Sequence, residues 1–365
     1  MTIEACDGCL RRTDLIVAVA GSLDIAWRRW RGRGAVLALP DEALLAFDAA
    51  AASRYSGFDA RAARARIDLA RLHAVCRCGD SYPERLRALP DPPAVLHVAG
   101  DLAAIAPGEA AAIVGARRAT SYGLEVARAL GRGLTAAGVP VVSGMALGVD
   151  SAAHAGALEA STSRAPPVAV LAGTAEIAYP ARMRRLHTRL VEAGCVVSEM
   201  PPGFKAFRWC FPARNRIIAG LAAATVVVEA APRSGSLITA DLANDLGRTV
   251  GAVPGPVSSR SSTGTNGLLH AGAAVVRDAR DVLELLFGTE APPFAESDSD
   301  PALDPAAALD PPLRRLLDAV GEGHGTLSAL AGTVDEAEAA LRGLSELELR
   351  GLVRRGFGGR YVRCL

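Results

Sequence analysis

One stretch, residues 111–150, constrains the fold of this chain more than any other. It begins with an apolar run that ends at Gly115, which is typical of a buried parallel strand. Apolar residues then recur at helical spacing as far as Gly138, and a second apolar run covers residues 139–142. This order of strand, glycine turn, helix and strand predicts the first half of a nucleotide-binding α/β sheet.

The turn between the first strand and its helix carries arginines where a dinucleotide-binding loop has glycines. A Gly-x-Gly-x-x-Gly loop would need glycine at the positions of Arg117 and Thr120. A guanidinium can hold a phosphate bidentately from the side, and the start of a helix favours an anion. The turn, which also contains Arg118, therefore predicts phosphate binding without NAD. A surface loop with two solvated arginines is the alternative interpretation.

Strand and helix patterns alternate through residues 110–289. They predict about seven strands, mostly buried and parallel, and residues 95–98 predict an edge strand that leads into them. The predicted fold class is therefore α/β, with an extended Rossmann-like, mostly parallel sheet at its centre.

The composition of the flanking residues predicts three further segments. Short amphipathic helices precede the sheet, an acidic and proline-rich stretch follows it, and three helices with a hairpin at the end describe a winged helix. The predicted organisation is a helical domain over residues 1–80, an extended Rossmann-like domain over 81–289, a linker over 290–312 and a winged-helix domain over 313–365.

Loops at the carboxyl ends of parallel strands meet in one crevice, where small residues leave backbone N–H groups free. The candidate anion-contacting residues beyond the first turn are Ser143, Gly144, Gly173, Arg214, Asn215, Arg216, Ser234, Gly235 and Ser236. Arginines can pair with phosphates or stack on bases, and an asparagine can orient a base edge. Three aromatic residues nearby, Phe207, Trp209 and Phe211, either stack on bases or belong to the core.

Catalysis has little support in the sequence. Neither the Gly-x-Ser-x-Gly motif nor a Walker lysine motif occurs. His154 and Asp150 fit structural roles, Asp150 as a helix cap, and Glu229 is either a base or, by preference, a structural acceptor. Several phosphate-sized loops with few catalytic groups favour a protein that binds a polyanion along a groove, and an enzyme is not predicted.

Charge distribution supports an anionic partner for the central segment. Residues 110–289 carry 18 basic and 12 acidic side chains, although the whole chain has a net charge of only +1. The sequence shows neither a signal-peptide pattern nor an apolar span of membrane length. We therefore expect a cytoplasmic protein without a membrane partner.

Four of the seven cysteines occur in two close pairs, Cys6-x-x-Cys9 and Cys76-x-Cys78. They can bind a structural zinc ion only if all four thiols meet in space. Cys-x-Cys is short for a zinc-binding turn, so unbound thiols are the preferred interpretation. Neither a metal nor a cofactor is predicted.

Six collinear motifs between residues 80 and 290 resemble those of the DNA-processing protein A family (DprA/Smf). They read Ile-Val-Gly-Ala-Arg-Arg-Ala-Thr-Ser-Tyr-Gly, Val-Ser-Gly-Met-Ala-Leu-Gly-Val-Asp, Ser-Glu-Met-Pro-Pro-Gly, Phe-Pro-Ala-Arg-Asn-Arg-Ile-Ile-Ala-Gly, Glu-Ala-Ala-Pro-Arg-Ser-Gly-Ser and Val-Pro-Gly-Pro. The resemblance implies an extended Rossmann fold between a sterile-alpha-motif (SAM-like) domain and a winged helix. It also implies a homodimer that binds and protects incoming single-stranded DNA without cleaving it, and loads RecA recombinase onto it during natural transformation.

By motif position, the resemblance implies that Arg117 is a phosphate ligand. It implies that the other pocket residues are Gly173, Arg214, Asn215, Arg216 and the loop Ser234-Gly235-Ser236. The chain departs from the family pattern at Ala116, where a serine is usual, at Glu176, in an altered loop, and at Met183, where asparagine is common.

Two other functions are consistent with parts of the sequence. The first is a nucleoside-monophosphate phosphoribohydrolase on a related sheet, but the glycine pair and glutamate of its motif are absent after Ala231. The second makes the winged helix the main DNA-binding element. Residues 290–365 carry 8 basic and 13 acidic side chains, which fits a protein contact better than duplex binding.

Overall fold

The computed structural model of the protein describes residues 2–30, 36–46, 48–106, 108–160, 164–290, 309–356 and 359–363. The chain forms two compact units, Met1–Phe294 and Ala295–Leu365. None of the described helices is both long and apolar enough to cross a membrane.

The helices of the larger unit are α1 (Asp7–Trp30), α2 (Asp41–Leu45), α3 (Ala49–Ser56), α4 (Ala60–Leu69), α5 (Glu84–Arg87), α6 (Ser121–Ala136), α7 (Val149–Glu159), α8 (Arg184–Ala193), α9 (Cys210–Leu221), α10 (Gly235–Asp245), α11 (Thr263–His270) and α12 (Ala279–Phe287). Its strands are β1 (His73–Cys76), β2 (Val95–Gly100), β3 (Ala111–Val114), β4 (Val141–Ser143), β5 (Val168–Val170), β6 (Cys195–Ser198), β7 (Ala224–Val227), β8 (Thr249–Ala252) and β9 (Ala274–Val275).

Within the described residues, these nine strands form one sheet in the order β1-β2-β6-β5-β4-β3-β7-β8-β9. The seven neighbouring strands β6-β5-β4-β3-β7-β8-β9 are parallel to one another, whereas β2 is antiparallel to both β1 and β6. The order β5-β4-β3-β7-β8-β9 is that of a doubly wound dinucleotide-binding sheet. The chain leaves β3 towards β4 on one side and later returns to β7 on the other, so the switch point lies between β3 and β7.

The predicted α/β class with a large, mostly parallel sheet is confirmed, and all seven strands predicted within residues 110–289 are present. The strand predicted over residues 95–98 is not at the edge of the sheet. β1 pairs with its outer side, with His73 opposite Val98 and Cys76 opposite Val95. Before the sheet, α2 and α3 are separate helices, and Asp48 caps α3 by accepting the backbone N–H of Ala50.

Helices cover both faces of the sheet. In β3, Ala111 and Ile113 face a core formed with α6, α7 and α12, whereas Ala112 and Val114 face a core formed with α9 and α10. The backbones of α6 and α7 pack directly against each other at Gly131. A Cβ atom at this position would overlap the carbonyl of Ala153, so only glycine permits the contact. This close packing brings together the two loops that precede these helices.

The smaller unit contains α13 (Pro311–Gly321), α14 (Leu327–Leu330), α15 (Val334–Leu349) and the antiparallel strands β10 (Val353–Arg355) and β11 (Tyr361–Arg363). Leu317, Leu344 and Leu347 lie in its core. These elements follow the predicted order of three helices and a hairpin. Gly358 in the predicted hairpin turn, and residues 291–308 of the predicted linker, lie outside the described residues.

Candidate nucleic-acid interface

A cleft of about 670 Å³ opens at the switch point, beyond the carboxyl ends of β3 and β7. Its walls are the β3–α6 turn, the start of α9, the β7–α10 loop and the segment before α11. The polar and charged residues that line it are Arg117, Arg118, Asp150, Arg214, Asn215, Arg233, Ser234, Ser236, Thr239, Arg260 and Ser261. Five arginines therefore face one carboxyl group, which makes the cleft strongly cationic.

The structure brings together most of the predicted site residues. The lining of the cleft includes Arg117, Arg118, Arg214, Asn215, Ser234, Gly235 and Ser236. A neighbouring pocket of about 140 Å³ is lined by Gly144 and shares Arg117, Phe211 and Arg214 with the cleft. The remaining predicted residues, Thr120, Ser143, Gly173 and Arg216, line neither cavity.

Four of the lining arginines are exposed: Arg117, Arg118, Arg233 and Arg260. Within the described part of the chain, none of them forms an ion pair with a carboxylate. An arginine without an acidic partner offers five N–H donors in a fork that matches phosphate geometry. The rim of the cleft is therefore equipped to bind anions.

Aromatic rings lie beside these arginines. The guanidinium carbon of Arg117 lies 5.2 Å from the ring centroid of half-buried Phe211, within cation–π range. The ring of Tyr179, of which 54% is exposed, lies 5.7 Å from that of Phe211. These three side chains form one stacking cluster, of which Arg117 and Phe211 line both cavities and Tyr179 lines only the smaller pocket.

The other two aromatic candidates lie elsewhere. Trp209 is buried, and its Nε1–H donates to the carbonyl of Ala20 at 3.1 Å, so it belongs to the core between α1 and α9. The ring of Phe207 packs at 6.0 Å from that of Phe204, and Phe207 lines neither cavity.

Arg214 is a buried cation at the base of the cleft. Its Nη1 donates to the carbonyls of Gly144, at 2.7 Å, and Val170, which ties α9 to the ends of β4 and β5. A side chain at Gly144 would overlap this guanidinium. Burial lowers the pKa of Arg214 to about 10, so the group keeps its charge at neutral pH.

Asp150 holds the loop around Arg214. Its carboxylate accepts the backbone N–H groups of Gly144 at 3.2 Å and Ala146 at 3.4 Å, and burial raises its pKa. The sequence predicted Asp150 as a helix cap. In the structure Asp150 is instead the second residue of α7, and Gly148 occupies the cap position. The hydrogen bonds of its carboxylate go to the preceding loop.

Arg216 belongs to a buried ion network behind the cleft. Its Nη1 and Nη2 donate to the two carboxylate oxygens of Glu199 at 2.8 and 2.7 Å, and its Nε lies 3.0 Å from the carboxylate of Asp91. All three side chains are largely shielded from solvent. These contacts join α9 to the end of β6 and to the segment before β2. They use the N–H donors of Arg216 inside the protein.

The carboxylate of Glu229 lies at the start of α6, where the sequence predicted that an anion would bind. Its oxygens accept the backbone N–H of Thr120 at 2.9 Å and the Thr120 hydroxyl at 2.7 Å, at the start of α6. A Cβ atom at Gly123 would lie only 2.5 Å from the same carboxylate. An internal carboxylate therefore fills the positive end of this helix, and the interpretation of Glu229 as a structural acceptor is confirmed.

Three other residues singled out by the sequence also lie in the protein interior. Ser143 donates its hydroxyl to the carbonyl of Ile113 at 2.6 Å, and Gly173 accepts the hydroxyl of Ser198. His154 is fully buried, and burial lowers its pKa to about 4, which keeps the ring neutral. These contacts connect neighbouring strand ends and leave the cleft to the exposed loops.

Two arginines of the cleft, Arg233 and Arg260, were not predicted from the sequence. Arg233 lies in the β7–α10 loop with a φ of +64°, a backbone conformation that residues other than glycine rarely adopt. Ser234 beside it caps α10. Its position next to the predicted serines is a signal that could have been used. Arg260 follows β8 by eight residues and reaches the cleft only through the folded path of its loop, so local sequence carries no signal for it.

Comparison with known proteins gives a consistent result. A family model described as DNA recombination-mediator protein A matches residues 73–287. A Mycobacterium tuberculosis relative that carries the DprA name is 42% identical over 278 residues, which are 73% of this chain and 68% of that one. Protein Smf of Escherichia coli is 37% identical over 295 residues, 80% of this chain and 77% of that protein.

Solved structures show the same relationship. The X-ray structure of DprA from Streptococcus pneumoniae aligns with a TM-score of 0.61 and 29% identity, over 75% of this chain and 95% of that one. DprA from Helicobacter pylori, a structure described for its single-stranded DNA binding mode, aligns with a TM-score of 0.51 and 29% identity, over 55% of this chain and 90% of that one. Residues 73–287, which the family model matches, include the whole cleft, and this chain belongs to the DNA recombination-mediator protein A family.

Proposed function

We propose that this protein binds single-stranded DNA in the cleft between β3 and β7 and delivers it to RecA recombinase. One observation carries the proposal: four exposed arginines without carboxylate partners in the described chain line one cleft, and one of them, Arg117, lies beside a pair of aromatic rings. A single strand offers both phosphates and unstacked bases, whereas a duplex hides the faces of its bases. The single-stranded DNA binding described for the Helicobacter pylori relative supports the same ligand.

The two kinds of side chain suggest separate roles. In our proposal a base stacks on Phe211 or Tyr179, while Arg117 pairs with the adjoining phosphate. Arg118, Arg233 and Arg260 lie on three different loops, so they are available to phosphates further along the strand. Such contacts depend on charge and ring faces, and we expect them to be largely independent of base sequence.

The polar groups beneath the rim position the loops. The Nδ2 of Asn215 donates to the carbonyl of Gly235 at 3.1 Å, which holds the serine loop against α9. Arg214 fixes the ends of β4 and β5 and adds a permanent charge below the bound strand. We therefore assign positioning roles to Asn215 and Arg216 and an electrostatic role to Arg214.

The cleft favours binding over catalysis. Asp150 is its single carboxyl group among the described lining residues, and two backbone N–H groups already bond to it. Glu229 is held by Thr120 and Ser261 outside the lining. No carboxylate of the described cleft is placed as a free general base, so we propose a mediator and not a phosphoribohydrolase.

The family assignment supports the wider parts of the proposal. We propose that the protein acts as a cytoplasmic homodimer, protects incoming DNA and loads RecA during natural transformation. We also propose that residues 1–80 correspond to the family's SAM-like domain and residues 313–365 to its winged helix. Light scattering at several protein concentrations tests the dimer, and RecA filament formation on strands coated with single-strand-binding protein tests loading.

Fluorescence anisotropy tests the ligand directly. A labelled single-stranded oligonucleotide is titrated with the full chain at several salt concentrations, with an unlabelled duplex of equal length as competitor. We expect preference for the single strand and an affinity that falls steeply with salt, because bound arginines release counterions. Equal or stronger duplex binding would move the site to the smaller unit. Absence of binding at low salt, with hydrolysis of nucleoside monophosphates, would favour the enzyme.

A further inference from the structure

We propose that Cys6, Cys9, Cys76 and Cys78 bind one Zn²⁺ ion that fastens the N-terminal segment to the outer strand of the sheet. The Sγ atoms of these four residues all lie within 4.8 Å of one another. The Sγ atoms of Cys9 and Cys78 are 3.6 Å apart. The two halves of the cluster are about seventy residues apart in the sequence, so only the fold brings them together.

The spacing of the sulfurs fits a tetrahedral metal ion. Zinc–thiolate bonds of about 2.3 Å at tetrahedral angles place the sulfurs roughly 3.8 Å apart. The observed separations of 3.6 Å and up to 4.8 Å bracket that value, so small rotations of the side chains complete the site. A disulfide would need a sulfur–sulfur distance of about 2.05 Å, well below the separation of Cys9 and Cys78.

The backbone around the cluster holds its two halves in register. The N-terminal residues pair with β1, because the N–H of Glu4 donates to the carbonyl of Ala74 and the N–H of Ala74 donates to the carbonyl of Thr2, both at 2.9 Å. The next residue but one, Cys6, donates its N–H to the Sγ of Cys76 at 3.4 Å. A thiolate that receives backbone N–H groups in this way is stabilised as a metal ligand.

Two arginines brace the segments that carry the ligands. Arg64 donates to the carbonyl of Ala5 at 2.9 Å, immediately before the first ligand. Arg87 donates to the carbonyls of Arg77 and Gly79 at 2.6 and 3.0 Å, on both sides of the last ligand. Because four thiolates and one Zn²⁺ leave a net charge of −2, nearby guanidinium groups also stabilise the loaded site.

The donor set and its surroundings indicate a structural site. Four protein thiolates leave no open position for water or substrate, and tetrahedral sulfur sites select zinc or a single iron over magnesium or calcium. Cys9 and Cys76 are buried, whereas Cys6 and Cys78 are exposed. None of the four lines the DNA cleft, so this site and the proposed DNA site can fail independently.

Metal analysis of the full chain tests the proposal. The protein is produced in zinc-supplemented medium, purified under reducing conditions and analysed by plasma mass spectrometry, and we expect about one zinc ion per chain. The variants Cys6→Ser and Cys78→Ser remove exposed ligands, so they should fold yet lose most of the zinc. Cys210→Ala removes a buried thiol outside the cluster and should retain it.

A second measurement does not depend on the variants. Addition of a strong chelator should lower the thermal unfolding midpoint of the wild-type protein, and restored zinc should raise it again. Wild-type protein that contains no stoichiometric zinc would overturn the proposal. So would full zinc retention in both Cys6→Ser and Cys78→Ser, or a non-reduced mass lower by four hydrogens, which would show two disulfides.

Discussion

Replacement of Arg117 by alanine tests the cationic rim most directly. Arg117 is exposed, contacts Phe211 across 5.2 Å and has no carboxylate partner in the described chain, so its removal should leave the free energy of unfolding almost unchanged. A hydrogen bond to a charged group contributes about 1.5–3 kcal/mol. We therefore expect the affinity for single-stranded DNA to fall by roughly 10- to 150-fold.

The salt dependence gives an independent measure of the same contact. On single strands each neutralised phosphate contributes about 0.7 to the slope of log affinity against log salt concentration. If Arg117 neutralises one phosphate, the slope for Arg117→Ala should be smaller by about 0.7. Anisotropy titrations at four or more salt concentrations measure both quantities on one oligonucleotide.

Arg132 provides a matched control. It is exposed on α6, outside both cavities, and its nearest described carboxylate oxygen, on Glu159, is 3.8 Å away. Arg132→Ala removes one exposed positive charge from α6, the helix that follows the turn of Arg117, and should bind DNA almost as the wild type does. The reasoning is refuted if Arg117→Ala keeps wild-type affinity and slope, or if the two variants lose affinity equally.

Three further predictions concern the ring, the buried network and pH. Phe211→Leu should weaken single-strand binding by about 1–3 kcal/mol while the salt slope stays constant, because stacking is lost and no charge is removed; an altered slope would contradict this assignment. Arg216→Ala leaves Glu199 buried without its cation and should lower the free energy of unfolding by about 3–5 kcal/mol in urea denaturation, and an unchanged midpoint would exclude a structural role. Burial lowers the pKa of His154 in the folded protein to about 4, whereas the pKa of an unfolded histidine is near 6.5. Between pH 6.5 and pH 4 the unfolded state therefore binds more protons at this residue than the folded state does. Stability should therefore decrease as pH falls, by roughly 2 kcal/mol at pH 5 from this residue, and His154→Asn should flatten the urea midpoints measured from pH 7 to pH 5.

The parallel strands could be predicted from the sequence because their physics is local. A strand that is buried on both faces is a continuous apolar run, and glycines or polar turns mark its ends, as at β3 and Gly115. The residues of β1 give no such signal. Their sequence His-Ala-Val-Cys is short and comes soon after a segment with helical spacing. It forms a strand because β2 and the N-terminal residues pair with it.

The site was predicted in part for a similar reason. Turn residues such as Arg117 and Ser234 lie at strand ends whatever the rest of the chain does, so their place in the crevice follows from the fold class. Arg214 and Arg216 look equivalent in sequence, yet positions two apart on a helix point about 200° away from each other. One therefore reaches the cleft and the other reaches Glu199, and only the packing of α9 decides which.

The position of Glu229 bears on how, in the proposed function, a dinucleotide-like sheet binds a polymer. In dinucleotide-binding proteins the start of the first helix holds one pyrophosphate, and the favourable field extends over only the first turn. Here the carboxylate of Glu229 fills that position, and the exposed arginines sit on the β3–α6 turn, the β7–α10 loop and the loop before α11. In the proposed function, anion binding therefore depends on several side chains on separate loops and not on one backbone pocket. Each of these contacts is weak and sensitive to salt, so a free nucleotide that meets one or two of them binds poorly, whereas a strand that meets all of them adds their free energies.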